Sequence, residues 1–348
     1  MTEIPIDQTV IQLPEGFIRR LRNEFHSDVV AGIVSGLSGL RHTVFRLNGL
    51  IKTDSDVLSS LHEQNINFNT ISGLANAVWI PAAERERLLN SAEYFEKRIY
   101  VQNLASMLPP ILLNCEPGQK ILDLTAAPGS KTLQIAEFAG STSEIAAVEL
   151  VKSRFFRLKA NLEAHGAGFV RVFLQDGAKV WKYRAEYFDR VLLDAPCSSE
   201  GRFLVSEPES YSYWGPKKNK EMVRKQKALL YSAVQATAPG GRIVYSTCSL
   251  SVAENEGVIS KLLARFEGKI KTVPIELVFP EMIPAERTWK GKELHPGLEN
   301  ARRIIPSELM EGFFLCIIEK TDSTVLTGPG HAASTASSPY FSRRNRSR

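Results

Sequence analysis

The chain has 348 residues, 43% of them apolar and 23% charged, the balance of a folded protein with room for roughly two domains. A net charge of +5 and a pI near 8.9 suit a polyanionic partner without identifying one. No apolar run approaches the roughly 18 residues that span a bilayer, and the start MTEIPIDQTV lacks both a basic and an apolar leader region; a cytoplasmic protein with no membrane partner is expected.

Residues 14–26 set Phe17, Ile18, Leu21 and Phe25 on one face at helical spacing, with basic residues between them, which predicts an amphipathic helix. Residues 42–80 mix short β-rich runs, HTVFRLN and AVWI, with the helix-like DVLSSLHEQ, so a small α/β module precedes Pro81 and an N-terminal domain is expected over 1–96. From about residue 97 strand and helix alternate: a helix at 102–113, KILDLTAA, a helix from Lys131, EIAAVEL, a helix at 152–165, and FVRVFLQD. FDRVLLDAP and GRIVYSTCS continue the series, separated by a connection that holds a basic helix near 219–237. A helix at 253–265, an irregular stretch punctuated by prolines and a last strand GFFLCIIEK complete it. Such alternation predicts a doubly wound, mostly parallel α/β sheet over 97–320. Residues 321–348, rich in Ser, Thr, Gly and Pro and ending in SRRNRSR, read as a disordered basic tail.

The first strand of the series runs into Asp123-Leu124-Thr125-Ala126-Ala127-Pro128-Gly129-Ser130-Lys131-Thr132 and then a helix. Ligands of open parallel sheets bind beyond the carboxyl ends of strands, where small residues let the backbone approach, so a cofactor is expected here. The loop is neither G-x-G-x-x-G nor a phosphate-binding G-x-x-x-x-G-K-[ST]. Glu149 ends the second strand, where a carboxylate can accept from both ribose hydroxyls of an adenosine. Asp176 ends the third and can take the adenine amino group. Each of these carboxylates alone reads as readily as a cap at a helix start. Together with the loop, the strand ends describe a nucleoside pocket.

The four cysteines, Cys115, Cys197, Cys248 and Cys316, form no C-x-x-C pair and no metal-binding cluster, so no metal and no disulfide framework is expected. Cys115 and Cys316 lie in apolar runs and read as core filling. Cys197, after Asp194-Ala195-Pro196, and Cys248, after Ser246-Thr247, leave the ends of successive strands at the edge that carries the cofactor loop. Both should face one substrate pocket. Carbon 5 of cytosine is a poor nucleophile towards a methylsulfonium, and a thiolate adding to carbon 6 makes it an enamine carbon. Asp194 is placed to hold the ring nitrogen and amino group. A second thiol can serve the removal of the carbon 5 proton.

These residues bring the chain to a family: it resembles the Nop/Sun class of RsmB/Nop/NSUN-like RNA (cytosine-5) methyltransferases over roughly residues 14–320. The motifs are FRLN at 45–48, YVQNLASMLP at 100–109, LDLTAAPGSKT at 122–132, DAPCSSEGR at 194–202, YSTCSLSVAENE at 245–256 and RRIIPSELMEGFF at 302–314. The resemblance implies a Rossmann-like class I methyltransferase fold with an RRM-like N-terminal module, and S-adenosylmethionine as cofactor. It implies Cys248 as nucleophile and Cys197 as the group that assists product release, the reverse of DNA cytosine-5 methyltransferases, whose nucleophile is the cysteine of P-C. It further implies that Thr125, Ala126, Ala127, Pro128, Gly129, Ser130, Lys131, Glu149, Asp176 and Asp194 hold the cofactor, with Lys131 and Asp194 close to the reacting groups.

Ser130 stands where the family usually has a second glycine; were φ positive there, a serine would cost on the order of 1 kcal/mol. Ser251 and Glu254 form an S-x-x-E pattern that reads as a helix capping box. The segment 214–227 carries six Lys or Arg against one Glu and is a candidate phosphate contact, with Arg46 and the N-terminal module extending the groove. Aromatic residues of an RRM signature are not evident, and the target base must be flipped to reach the thiols.

The region from Trp214 to Glu256 is most similar to the bacterial small-subunit branch, which favours ribosomal over transfer RNA, free or within a ribosomal subunit, for an enzyme expected to act as a monomer. The rivals are methylation of tRNA or of DNA cytosine, and a non-catalytic RNA-binding assembly factor. Lys131, Asp194, Cys197 and Cys248 together argue against the last.

Overall fold

The computed structural model describes residues 12–51 and 56–325. The chain opens with α1 (Glu15–Glu24), which buries Phe17, Ile18 and Leu21 as its pattern requires, followed by α2 (Ser27–Ser38). Sequence reading does not anticipate α2, because Gly32 and Gly36 depress helix propensity. Those glycines serve close approach: a Cβ at Gly36 would sit 1.9 Å from the Pro306 carbonyl oxygen. Both helices pack on the loops that follow later strands, with Phe17, Leu21, Ile33 and Leu37 buried among Phe203, Tyr211, Leu250 and Val252.

The small module runs β1 (Thr43–Leu47), α3 (Val57–Glu63), β2 (Asn69–Ile71), β3 (Leu74–Ile80), α4 (Arg85–Leu89), α5 (Ala92–Phe95) and β4 (Ile99–Val101). Its strands lie antiparallel in the order β2-β3-β1-β4, the split β-α-β topology of RNA-recognition and ferredoxin-like modules. Period-two alternation gives the sheet two apolar faces. Phe45, Val78 and Ile80 pack with Leu61 of α3 on one side, whereas Val44 and Ala77 pack against α6 (Leu104–Leu113) on the other.

The larger unit continues with β5 (Lys120–Asp123), α7 (Ser130–Ala139), β6 (Glu144–Glu149), α8 (Lys152–Ala164), β7 (Arg171–Leu174), β8 (Phe188–Asp194), α9 (Pro216–Ala236), β9 (Thr237–Thr247) and α10 (Glu256–Arg265). β10 (Ile270–Val273), β11 (Met282–Pro284), a hairpin of β12 (Thr288–Trp289) and β13 (Lys292–Glu293), β14 (Arg302–Ile304) and β15 (Phe313–Lys320) follow. Among the described residues these strands, the hairpin apart, form a nine-stranded sheet in the order β11-β14-β15-β9-β8-β5-β6-β7, with β10 also on β15. The run from β9 to β7 is parallel, and the strands beyond β9 are antiparallel. Consecutive β5 residues face opposite cores: Ile121 packs beneath α6 and α7, Leu122 beneath α9 and α10. A doubly wound, mostly parallel sheet is therefore the fold, as the alternation predicts.

The stretch between α10 and β15 is less irregular than its prolines suggest, since β11 and β14 widen the sheet with short antiparallel pairs. Residues at the start of the predicted tail are held, because Glu186 accepts hydrogen bonds from Ser323 Oγ and the Thr324 amide. The rest of that tail, 326–348, lies outside the described residues. No helix of the described residues is long and apolar enough to cross a membrane.

Candidate active site

β8 and β9 are parallel neighbours whose register sets Asp194 opposite Ser246. The two cysteine loops therefore leave the sheet side by side, and the Cys197 and Cys248 sulfurs come within 3.4 Å of each other. The hydrogen bond shared with Cys248 pushes the Cys197 thiol well above its ordinary range, and burial adds to the rise. Cys197 thus keeps its proton at neutral pH. Cys115 and Cys316 lie elsewhere; burial drives the Cys115 thiol up to about 12 and the Cys316 thiol higher still, which leaves both inert.

Beside the thiols lies a cavity of about 730 Å³, within the range of small-molecule sites. Thr125, Ala127, Pro128, Ser130, Lys131, Glu149, Asp176, Asp194, Cys197 and Cys248 all line it. Ala126 and Gly129 do not. Ala126 instead donates its amide to the Val148 carbonyl at 2.9 Å. Gly129, at φ 111°, makes the turn into α7, and a Cβ there would meet Leu158 at 2.9 Å. Ser130 is the first residue of α7 and not among the positive-φ positions, so the glycine-to-serine departure carries no backbone strain.

Two strand-end carboxylates accept local backbone amides and also face the cavity. Glu149 accepts the Val151 amide at 2.8 Å, Asp176 accepts the Ala178 amide at 3.0 Å, and each still lines the cavity. At its far side Lys131 Nζ pairs with Asp194 Oδ2 at 2.6 Å and donates to Ser106 Oγ at 2.5 Å. The Ser246 hydroxyl donates to the other Asp194 oxygen at 2.7 Å. That carboxylate is fixed in orientation before any substrate arrives.

Several lining residues escape sequence reasoning. Tyr100, Gln102, Asn103 and Ser106 bring the entry to α6 over the cavity, and Arg202, Glu311 and Phe313 close the thiol end. Only the YVQNLASMLP motif hints at the first group. Arg202 and Glu311 form an ion pair at 3.4 Å across the mouth, which depends on contacts between segments a hundred residues apart.

Two expectations are corrected. Arg46 does not extend a groove: it is 3% exposed, paired with Glu137 at 2.7 Å and laid over the Tyr100 ring. It pins the small module to the larger unit, because the sheet face that carries it is the docking face. Ser251 and Glu254 make no capping box, since α10 starts at Glu256 after Asn255. Glu254 is fully buried and accepts from the Ser198 amide, Asn219 and Gln226. On α9 the apolar and amide residues Asn219, Met222 and Gln226 face inward, and Lys217, Lys220, Arg224 and Lys225 face solvent. Lys225 reaches the cavity and pairs with Glu221 at 2.7 Å.

Below the loop, burial pushes the Asp123 carboxyl up to about 6 against the hydrogen bond from Thr132, with the Asp194 charge adding to the rise. Between about pH 4 and 6 the unfolded chain has lost a proton that the fold retains, so stability falls as pH rises, by on the order of 3 kcal/mol, and levels off above. Asp123→Asn is expected to lack that slope. Chemical denaturation of both proteins across the window checks it, and parallel curves would refute it.

A family model described as 16S rRNA methyltransferase RsmB/F matches residues 110–319. The chain is 34% identical over 316 residues to ribosomal RNA small subunit methyltransferase F of Serratia proteamaculans, covering 89% of this chain and 64% of that protein. It is 31% identical over 334 residues to the protein of that name from Salmonella agona, covering 94% and 68%. The chain thus spans about two thirds of the length of these relatives. Among solved structures, a methyltransferase homolog from Pyrococcus horikoshii matches with a TM-score of 0.73 at 27% identity, over 88% of this chain and 100% of that one. NSun6 from the same organism shares the fold, with a TM-score of 0.74 at 18% identity over 90% and 99% of the two chains.

Proposed function

The chain belongs to the 16S rRNA methyltransferase RsmB/F family, and from that premise we propose that it methylates carbon 5 of a cytosine in ribosomal RNA through a covalent adduct between Cys248 and carbon 6. The observation that carries this reading is the pair of thiols 3.4 Å apart in the cavity that also holds the Lys131–Asp194 pair.

S-adenosylmethionine supplies a methyl group on a sulfonium. The residues present fit it: the cavity has the size of a nucleoside site, small residues 125–130 border it, and the Glu149 and Asp176 carboxylates stand at consecutive strand ends. Gly177 lets the Asp176 turn pack closely on the first strand's end, because a Cβ there would meet the Leu124 carbonyl oxygen at 2.6 Å. Thr125, Ala127, Pro128, Ser130 and Lys131, which line the cavity, would hold the group, while Ala126 and Gly129 shape the loop.

Asp194, oriented by Lys131 and Ser246, accepts a hydrogen bond from the cytosine amino group, and the Lys131 ammonium beside it offsets the negative charge that develops as the ring is attacked. Cys248 loses its proton to solvent and forms a carbon–sulfur bond at carbon 6, and the ring electrons move to carbon 5. The Cys197 proton is held chiefly by its bond to Cys248. Once the Cys248 sulfur is bonded to carbon, Cys197, beside it at 3.4 Å, gives its proton to solvent and then takes the one on carbon 5. Elimination returns the Cys248 thiolate, and one proton in all leaves for each methyl gained.

Lys225 lines the cavity, and with the other exposed cations of α9 it suits the phosphates flanking a flipped base. The small module acts here as a docked wall, since the sheet face that an RNA-recognition module would offer to bases is packed on α6. Ribosomal RNA, free or in a small subunit, and action as a monomer in the cytoplasm belong to the same reading. Incubation with methyl-labelled S-adenosylmethionine and separate pools of ribosomal RNA, small subunits, tRNA and DNA tests it. Label should appear as 5-methylcytidine in ribosomal RNA or the subunit; label confined to tRNA or DNA, or none, defeats it.

A further inference from the structure

Beneath the two thiols lies a set of buried charges that the reaction does not use. Glu200, on the Cys197 loop, reaches across to the Cys248 loop and accepts from the Leu250 amide at 3.2 Å and Ser249 Oγ at 3.4 Å. Glu254, on the Cys248 loop, reaches back to the Cys197 loop and accepts from the Ser198 amide at 2.9 Å. The exchange is reciprocal, and the Gly201 amide adds a bond to the Cys248 carbonyl at 2.9 Å. Asn219 of α9 donates to both carboxylates, at 2.9 and 2.7 Å, and Gln226 ties Glu254 to the Pro196 carbonyl. Both carboxylates are fully buried, and Arg20 of α1 reaches Glu200 at 2.6 Å.

Burying two carboxylates beside one guanidinium, itself shared with Glu24 at 2.5 Å, is an expensive way to hold two loops together, and apolar residues would do so at least as stably. What apolar contacts lack is direction. Hydrogen bonds to the residue directly after Cys197, and to the two directly after Cys248, fix where each thiol points. We infer that Glu200 and Glu254 are positioning residues, a crossed latch that holds Cys197 and Cys248 at reacting distance, with Arg20 as its counter-ion. The latch lies on the proposed division of labour between the thiols and makes release depend on it, because Cys197 must stay near carbon 5 after Cys248 is bound.

Glu254→Asp keeps the charge and withdraws the carboxylate from Ser198 by about 1.5 Å; Glu254→Gln keeps the reach and removes the charge. Diamide, which takes two hydrogens from a thiol pair and leaves a disulfide, measures the sulfur–sulfur approach without RNA. The Cys197–Cys248 disulfide should form about tenfold more slowly in Glu254→Asp and within about threefold of wild type in Glu254→Gln, the scale on which ångström displacements act. With substrate RNA, Glu254→Asp should also prolong the covalent protein–RNA adduct, while cofactor affinity stays level. Wild-type disulfide rates and adduct lifetimes in Glu254→Asp would overturn the latch, as would equal losses in both variants tracking a lowered melting temperature. Slow disulfide formation in Glu254→Asp, with no adduct formed by wild type, would instead keep the latch and reject the covalent reading.

Discussion

Cys248→Ala is expected to abolish methyl transfer, by on the order of 10⁴-fold or more, the scale of losing a covalent nucleophile. Binding should survive, because Cys248 is one of many cavity residues and the cofactor loop lies on a different strand end. Cys197→Ala should behave differently. The nucleophile remains and the methyl group is transferred once, but without a base for the carbon 5 proton the product stays attached. Turnover should drop by about 10²-fold or more, and labelled RNA should migrate with the protein on a denaturing gel. The double variant should trap nothing. An adduct in the double variant, or full turnover by Cys197→Ala, would show the two roles to be misassigned.

Lys131→Met is expected to lower the single-turnover rate by about 10²-fold, comparable to losing one preorganised donor at a developing charge. Lys131 is 8% exposed and spends its charge on Asp194 at 2.6 Å, so its removal leaves a carboxylate without its counter-ion beside the reacting ring. Asp194→Asn should lose a similar factor. Because the two act as a unit, the double variant should be little worse than the poorer single one. Losses that multiply would mean that Lys131 serves the cofactor and Asp194 the base independently.

Much of the site is legible from the chain alone because it lies at strand ends, where periodicity shows both the fold and its active edge. The first parallel strand leads into the cofactor loop, and the Asp194-Ala195-Pro196-Cys197 and Ser246-Thr247-Cys248 segments follow the next strands in the same way. Ten of the twelve residues nominated for the site line the cavity. The two exceptions, Ala126 and Gly129, act through loop shape, which residue type alone does not separate from contact. α2 is missed because its glycines answer to a partner surface at 305–306 and not to local propensity.

Arg46 and Glu254 are the instructive errors. A basic residue on a small β module reads as a phosphate contact, and a Glu three places after a serine reads as a cap; each inference uses only near neighbours. In the fold, Arg46 meets Glu137, 91 residues away, and Glu254 meets the Ser198 amide, 56 residues away. The amino-acid sequence by itself determined the sheet and the edge at which the cavity and both thiols lie, because local alternation and strand ends are written residue by residue. Only the tertiary structure decided what covers each face of the small module's sheet, how close the sulfurs come and which buried carboxylates lie against their loops, because those depend on groups meeting across long sequence distances.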